Sequence, residues 1–352
     1  MKKHLNSHAP VRIFAFSVTA TIAALIGTFF GFGAGALLVA IILIIVEITF
    51  SFENAIINAK ILKNMSKFWQ NIFLTVGIFI AIFGMRVIFP IAIVMVTAKL
   101  GAGDVIDLAL NKPDLYSKEL NEAHPQIAAF GGAFLLMLAL HFFLDDSRET
   151  LWFNRLERRL QRISARWMPA LIATVVIGLL ALAPFNNHQY ETITAGITGI
   201  VIYSVMQALI HFFESLKPKS TAGTKPGSII AQTGMTAFFS FIYLEMLDAS
   251  FSFDGVIGAF AVTNEVVLIA IGLGVGAIWV RSLTVYMVRN GTLDAYRYLE
   301  HGAHYTVFVL SAVLLLGIFF HVPEVLAGLV GIGLIGSAIV SSRQATRADA
   351  KQ

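Results

Sequence analysis

Apolar runs long enough to matter begin near positions 11, 35, 70, 127, 168, 192, 229, 265, 303 and 323. An α-helix needs roughly 20 mostly apolar residues to cross a bilayer, so the pattern predicts about ten transmembrane helices. The count drops to nine if the first run, which follows "MKK" and reaches "AGA" at 34–36, is a cleaved leader. The last two runs are separated only by "HVPE". The expected fold is all-α and polytopic. Its segments are an N-terminal tail (1–10), a first half of four spans (11–144), a linker (145–167), spans five and six (168–213), a loop (214–228), a second half of four spans (229–341) and a tail (342–352).

Two runs, 35–62 and 229–262, are longer than one straight span needs, and polar residues interrupt both. The first reads "EITFSFENAIIN" from Glu47 and the second "LDASFSFDGVIGAF" from Leu247. Setting Glu47 against Asp248 also aligns Phe50-Ser51-Phe52 with Phe251-Ser252-Phe253 and Glu53 with Asp254. An arginine follows in the next span of each half, Arg86 in "FGMRVIFP" and Arg281 in "IWVRSLTV". The motif spans are the second and the seventh, so they cross in opposite directions, as inverted-topology repeats do.

At about 100° per residue, Glu47, Ser51, Asn54 and Asn58 share a stripe roughly 60° wide. Asp248 and Ser252 form the matching stripe, extended backwards by Glu245. On a straight helix Glu53 and Asp254 would point about 120° away from the leading acid, so a break at Phe-Ser-Phe is expected. Such a break is tolerated within a membrane only where the freed backbone lines a cavity.

Composition and charge sharpen this picture. The chain is 57% hydrophobic and 13% charged, with a mean hydropathy of +0.78, which excludes a single water-soluble globule. It has no cysteine, which excludes disulfides and thiolate metal sites. Of its 25 lysines and arginines, all but five fall in the tails and loops of one side, including six arginines between 148 and 166. The other side has only Lys99, Lys112 and Lys118, and the remaining two are Arg86 and Arg281. The positive-inside rule therefore predicts both termini in the cytoplasm; the expected setting is a bacterial inner (plasma) membrane.

A charge at the bilayer centre costs at least ~2.5–3.5 kcal/mol, so intramembrane acids point to function. Glu47, Glu53, Asp248 and Asp254 against Arg86 and Arg281 leave two formal negative charges, the complement of one divalent cation. Carboxylate, amide and hydroxyl oxygens are hard ligands suited to Mn²⁺, Ca²⁺ or Mg²⁺, and neither motif contains histidine. The candidate metal ligands are Glu47, Ser51, Glu53, Asn54, Asp248, Ser252 and Asp254, with Asn58 and Glu245 as accessories and Arg86 and Arg281 as counter-ions. The competing interpretation is that the acids pair with the arginines and only lock helices together, or are protonated.

"EITFSFENAIINA" and "LDASFSFDGVIGAFAVT", each followed by a span arginine, resemble the TerC family of integral membrane proteins within the LysE-like transporter superfamily. The resemblance covers about half the chain. It implies metal-ion homeostasis, with manganese efflux, metal supply to exported proteins and tellurite resistance as associated activities. The family's motif positions fall on Glu47, Glu53 and Asn54 and on Asp248, Ser252 and Asp254. The chain departs from the pattern at Glu53, where Asp is more usual, and at Gly255, where Ser is frequent.

These readings converge on a transporter, most simply an exporter, of a hard divalent cation with Mn²⁺ first, and not on an enzyme. The expected partners are the ion, the bilayer, and a second copy or another membrane protein, with no nucleic acid. The alternatives are a metal-loading partner for exported proteins and an intramembrane metalloenzyme or aspartyl protease; no H-E-x-x-H signature supports the latter. Three lesser features remain. Leu151, Trp152, Leu156, Leu160, Ile163 and Trp167 predict an amphipathic surface helix across the linker. Glu300, His301 and His304 could hold a second metal but are more simply packing groups; the same holds for His141, His211 and His321. The acidic stretch 100–126 is expected to be a solvated loop.

Overall fold

The computed structural model describes residues 9–216, 232–260, 262–320, 322 and 324–349, without the side chains of residues 9, 10, 12, 253, 254, 324 and 325. The protein is an all-α polytopic membrane protein. Its helices are, in order, α1 (Ala9–Phe50), α2 (Phe52–Leu62), α3 (Lys67–Phe79), a π-helical segment (Ile80–Ile88), α4 (Phe89–Thr97), α5 (Ala102–Asn111), α6 (Pro113–Glu122) and α7 (His124–Phe143). After the linker helix α8 (Asn154–Gln161) come α9 (Met168–Ala181), α10 (Gln189–Ser215), α11 (Gly234–Phe260), α12 (Val266–Asn290), α13 (Thr292–Ala295), α14 (Leu299–Gly317) and α15 (Glu324–Asp349).

Among the described residues, seven stretches are long and apolar enough to span a membrane by themselves. The other expected spans are helical but differ in form. The first two are merged in α1, which bends at Gly33, whose φ of 86° is open to a residue without Cβ. The fifth, α9, has only 14 residues, and the seventh is the acid-bearing α11.

Two hydrophobic clusters set the directions of the motif helices. At one end of the bundle Leu43, Val94, Val256 and Leu273 pack with Val105, Tyr116 and Leu120 of the α5–α6 hairpin. At the other, basic end Leu62, Phe73, Ala237 and Val285 pack together. The part of α1 after Gly33, with α2, therefore runs from the hairpin end to the basic end, whereas the part before Gly33 starts at the basic end, where Ile13 packs, and α11 runs back to the hairpin end. The Arg86 span and α12 are antiparallel in the same way, so corresponding elements of the two halves are inverted. α1 lies along α12, and the π segment lies against both α11 and α12.

Close approach of α12 to α1 depends on glycine. A Cβ at Gly272 would lie 2.5 Å from Leu43 Cβ, and one at Gly276 would lie 2.5 Å from Glu47 Cβ and Cγ. These two glycines form a small-xxx-small face on α12, which seats Glu47 against its backbone.

Three expectations are corrected. Residues 100–126 are not a loop: α5 and α6 bury Val105, Ala109, Tyr116 and Leu120 at i,i+4 spacing, and Pro113 starts α6 where its missing N–H costs nothing. The linker forms a helix only over Asn154–Gln161; Leu156, Ile163 and Trp167 are exposed, while Glu157 is fully buried. The tail expected from 342 is a continuation of α15 to Asp349, which pairs with Arg297 at 3.1 Å. Of the basic residues and histidines weighed above, Lys2, Lys3, Lys217, Lys219, Lys225, Lys351, His321 and the side chain of Arg12 lie outside the described part of the structure.

Candidate carboxylate site

The break expected at Phe-Ser-Phe occurs in the first copy. Ser51 leaves helical geometry (φ −106°, ψ 17°), and α2 starts afresh at Phe52. Glu53 thereby falls in the first turn of a new helix, where free N–H groups and the helix dipole favour a carboxylate. In the second copy α11 continues through Phe251-Ser252-Phe253 without interruption. The two copies thus share composition and inverted direction but not local backbone.

Each arginine takes an acid of its own half. Arg86 Nη2 donates to Glu47 Oε1 at 2.5 Å, its Nη1 donates to Ala81 O at 2.6 Å, and Nη1 lies 4.0 Å from Asp248 Oδ2. The π-helical turn presents that Ala81 carbonyl five residues before Arg86, a local departure of the kind often found at functional positions. Arg281 donates to both oxygens of Glu245 at 2.9 Å and to Asp248 Oδ2 at 3.2 Å, and its guanidinium sits 4.3 Å from the Phe73 ring centroid. Glu245, an accessory on sequence grounds, is therefore the principal partner of Arg281.

The stripe on α2 forms a hydrogen-bonded chain. Asn58 Nδ2 donates to Asn54 Oδ1 at 2.7 Å, and Asn54 Nδ2 donates to Asp248 Oδ1 at 2.9 Å. Both Asp248 oxygens are thus engaged, and Asn54 presents its amide nitrogen, not its oxygen, to the acid. Ser252 Oγ is buried with no hydrogen-bond partner among the described residues. The Asp254 side chain lies outside the described ones.

Glu53 differs from the other acids. It is buried, and no described lysine or arginine pairs with it. It faces, with Glu47, Ser51 and Thr306, a small cavity of about 50 Å³ walled by Phe50, Phe251 and Gly255. Ser51 Oγ donates to Glu47 Oε1 at 3.3 Å, and Glu47 Oε2 lies 3.2 Å from where a Gly255 Cβ would stand. One Glu47 oxygen therefore answers Arg86 and Ser51 while the other faces the Gly255 wall.

The polar side chains of this wall are oxygen donors throughout. A single water needs roughly 10–15 Å³, so the cavity has room for an ion with some of its own water. Among the described residues no three His, Asp or Glu side chains converge as a ready metal cage. Two carboxylates, two hydroxyls and retained water are what the geometry offers. Across the core, Glu47, Glu53, Glu245 and Asp248 face Arg86 and Arg281, a formal excess of two negative charges among the described groups.

The histidines at the basic end are engaged elsewhere. His304 Nδ1 lies 2.8 Å from Glu300 O, and its ring stacks on Phe142 at 3.7 Å. Glu300 itself pairs with Lys60 at 2.7 Å. His301 Nε2 lies 3.4 Å from Glu157 Oε2 and 2.9 Å from Thr150 O. Glu157 also accepts from the backbone N–H of Phe153 at 3.0 Å and from Tyr305 Oη at 3.1 Å, and lies 3.7 Å from Arg148. Burial pushes the Glu157 carboxyl up, but His301, the Phe153 N–H and Arg148 outweigh it and hold the group below the usual carboxylate range. This buried acid, which ties the linker to α14, carried no signal in an arginine-rich surface pattern. A cavity of about 800 Å³ at this end, lined in part by His141, His211 and His304, shares no wall residue with the carboxylate cavity.

Residues 52–349 match the model of a family described as "Protein of unknown function (DUF475)". No curated protein and no solved structure matches the chain.

Proposed function

The chain belongs to the DUF475 family, and from that premise we propose that it is a membrane transporter of a hard divalent cation, Mn²⁺ first, moving the ion outward across a bacterial inner membrane. The observation that carries this is the oxygen-lined cavity holding Glu53, a buried acid without a cationic partner, beside Glu47. A charge so placed costs at least ~2.5–3.5 kcal/mol, and a divalent ion between the two carboxylates would offset it. Oxygen donors with retained water suit Mn²⁺, Mg²⁺ or Ca²⁺ better than Zn²⁺ or Cu⁺. The resemblance of both motifs to the TerC family supports the same substrate class.

In this proposal Glu47 and Glu53 are the ligands, assisted by Ser51. Arg86 and Arg281 set the charge so that an emptied site must take up something positive. Protonation of Glu53 as the ion departs would serve that need and couple the flux to protons. Asn54, Asn58 and Asp248 hold α2 against α11, and the inverted pairs supply two equivalent packing arrangements for alternating access. Both termini and the arginine-rich linker face the cytoplasm. Delivery of metal to exported proteins, without transport, would use the same ligands.

Calorimetry on purified protein tests the site. Mn²⁺ should bind, with Ca²⁺ and Mg²⁺ competing, and Glu53→Gln should abolish the heat. Absence of Mn²⁺ binding in folded protein, or strict selectivity for Zn²⁺ or Cu⁺, would show that the acids serve only to join helices or that the ligands lie elsewhere.

A further inference from the structure

A second, larger cavity of about 650 Å³ opens at the hairpin end of the bundle, where Ser117, Asn121 and Gly317 line it. It shares three wall residues, Val46, Phe50 and Gly255, with the carboxylate cavity. The two also meet along one face of α14: Thr306 and Leu310 line the inner space, Val313 and Gly317 the outer one. Those positions advance by four, three and four residues, which keeps them on a single helical stripe. The two cavities are consecutive along one wall.

Phe50 stands between them. It is the last residue of α1, immediately before the non-helical Ser51, so its backbone is attached to a joint and not to the interior of a rigid helix. Its ring lies on α15 at Gly328, where any Cβ would overlap the ring atoms. A glycine at that position creates the seat for the aromatic ring. Gly331, one turn further, makes the same kind of room for Thr306, so the α15 face behind both cavities is cut to fit. The corresponding residue of the second copy, Phe251, also lines the carboxylate cavity, but it is buried within the uninterrupted α11 and belongs to the main core cluster. Only the first copy places its phenylalanine at a joint.

We infer that Phe50 is the residue controlling access between the hairpin-end vestibule and the carboxylate cavity, a role that rests on the proposed ion site for its purpose but not for its test. With the ring on Gly328 the inner cavity is closed from the vestibule. Rotation about the Ser51 joint lifts the ring and joins the two spaces. An ion bound at Glu47 and Glu53 would leave towards the hairpin end by this route, the exterior in the proposed orientation.

The chain has no cysteine, so single introduced thiols report without background. Leu310→Cys places a thiol in the inner cavity and Val313→Cys one in the vestibule. Each is made with Phe50 intact, with Phe50→Ala and with Phe50→Leu, and is labelled in metal-free vesicles of both orientations with a membrane-impermeant cationic methanethiosulfonate. The Val313→Cys chain should react from one side only, at a rate that changes with position 50 far less than that of Leu310→Cys, which also shows that the variants are folded. The Leu310→Cys chain should react slowly from that same side, and its rate should rise about tenfold or more in Phe50→Ala and by less in Phe50→Leu, as the open fraction rises. An unchanged Leu310→Cys rate in both variants, or labelling only from the opposite side, would overturn the role of Phe50. Protection of the Leu310→Cys thiol by Mn²⁺ is read separately, so a failure of the ion site leaves the access result intact.

Discussion

Neutralising the two acids of the cavity should shift stability in opposite directions while abolishing the same binding event. Glu47 is paired with Arg86 at 2.5 Å, and the side chains of both are almost wholly buried. Glu47→Gln leaves the guanidinium without its principal counter-charge, and removing one partner of a buried pair costs about 3–5 kcal/mol. At about 2–4 °C per kcal/mol, the melting midpoint should fall by the order of 10 °C. Glu53 has no described cationic partner, so Glu53→Gln removes an uncompensated carboxylate whose burial costs at least ~2.5–3.5 kcal/mol on insertion scales. That variant should be as stable as wild type or more stable in the absence of metal. Wild type should gain about 2.7 kcal/mol at Mn²⁺ a hundredfold above Kd, and neither variant should gain anything. The assay is thermal unfolding of detergent-purified protein at neutral pH, with and without Mn²⁺. A Glu53→Gln chain that melts below wild type yet still responds to Mn²⁺ would refute the assignment of Glu53 as the uncompensated ligand.

Three further outcomes follow from the packing. Gly276→Ala would set a Cβ 2.5 Å from Glu47 Cβ and Cγ; restoring a contact of about 3.5–4.0 Å moves α12 from α1 by about 1 Å, so Mn²⁺ affinity measured by calorimetry should fall while the fold survives a cost of about 1–3 kcal/mol. Arg281→Met should destabilise by about 3–5 kcal/mol by stranding Glu245 and Asp248, and adding Glu245→Leu should recover much of the folded yield seen in size-exclusion chromatography. Because the Glu157 carboxyl is held below its ordinary value, its contribution to linker docking is present above that ordinary value and is lost only as pH falls through the lowered one. Fluorescence of Trp152, which packs on Tyr298 and Tyr305, should therefore hold steady from neutral pH into the mildly acidic range in wild type and report an undocked linker throughout in Glu157→Gln.

What the sequence made legible was governed by strong local rules. Apolar runs of about bilayer length gave the helices, and the excess length of 35–62, with Phe-Ser-Phe in its middle, located the break at Ser51. The same tripeptide in α11 remains helical, because periodicity cannot tell which of two similar segments its neighbours will hold straight. Arginine-to-acid pairing followed from charge economy, but the place of Glu245 as the principal partner of Arg281 depends on three-dimensional register. The solvated loop expected at 100–126 came from equating polarity in a short segment with exposure: the α5–α6 hairpin buries one residue per turn beneath a charged surface. The buried Glu157 of the linker was hidden for the same reason. Thr306 and Gly328 could not have been found without coordinates, since their part in the site comes only from what α14 and α15 pack against.

Flux is the most direct test of the proposed function. Purified chain in proteoliposomes, loaded with a Mn²⁺-sensitive dye and given a Mn²⁺ gradient, should move Mn²⁺ faster than empty liposomes, with Mg²⁺ or Ca²⁺ competing. Glu53→Gln at equal folded incorporation should reduce the rate to that of empty liposomes. Wild-type flux in Glu53→Gln, or no flux of any divalent cation from wild-type protein that binds Mn²⁺, would contradict a transporter built on this carboxylate cavity.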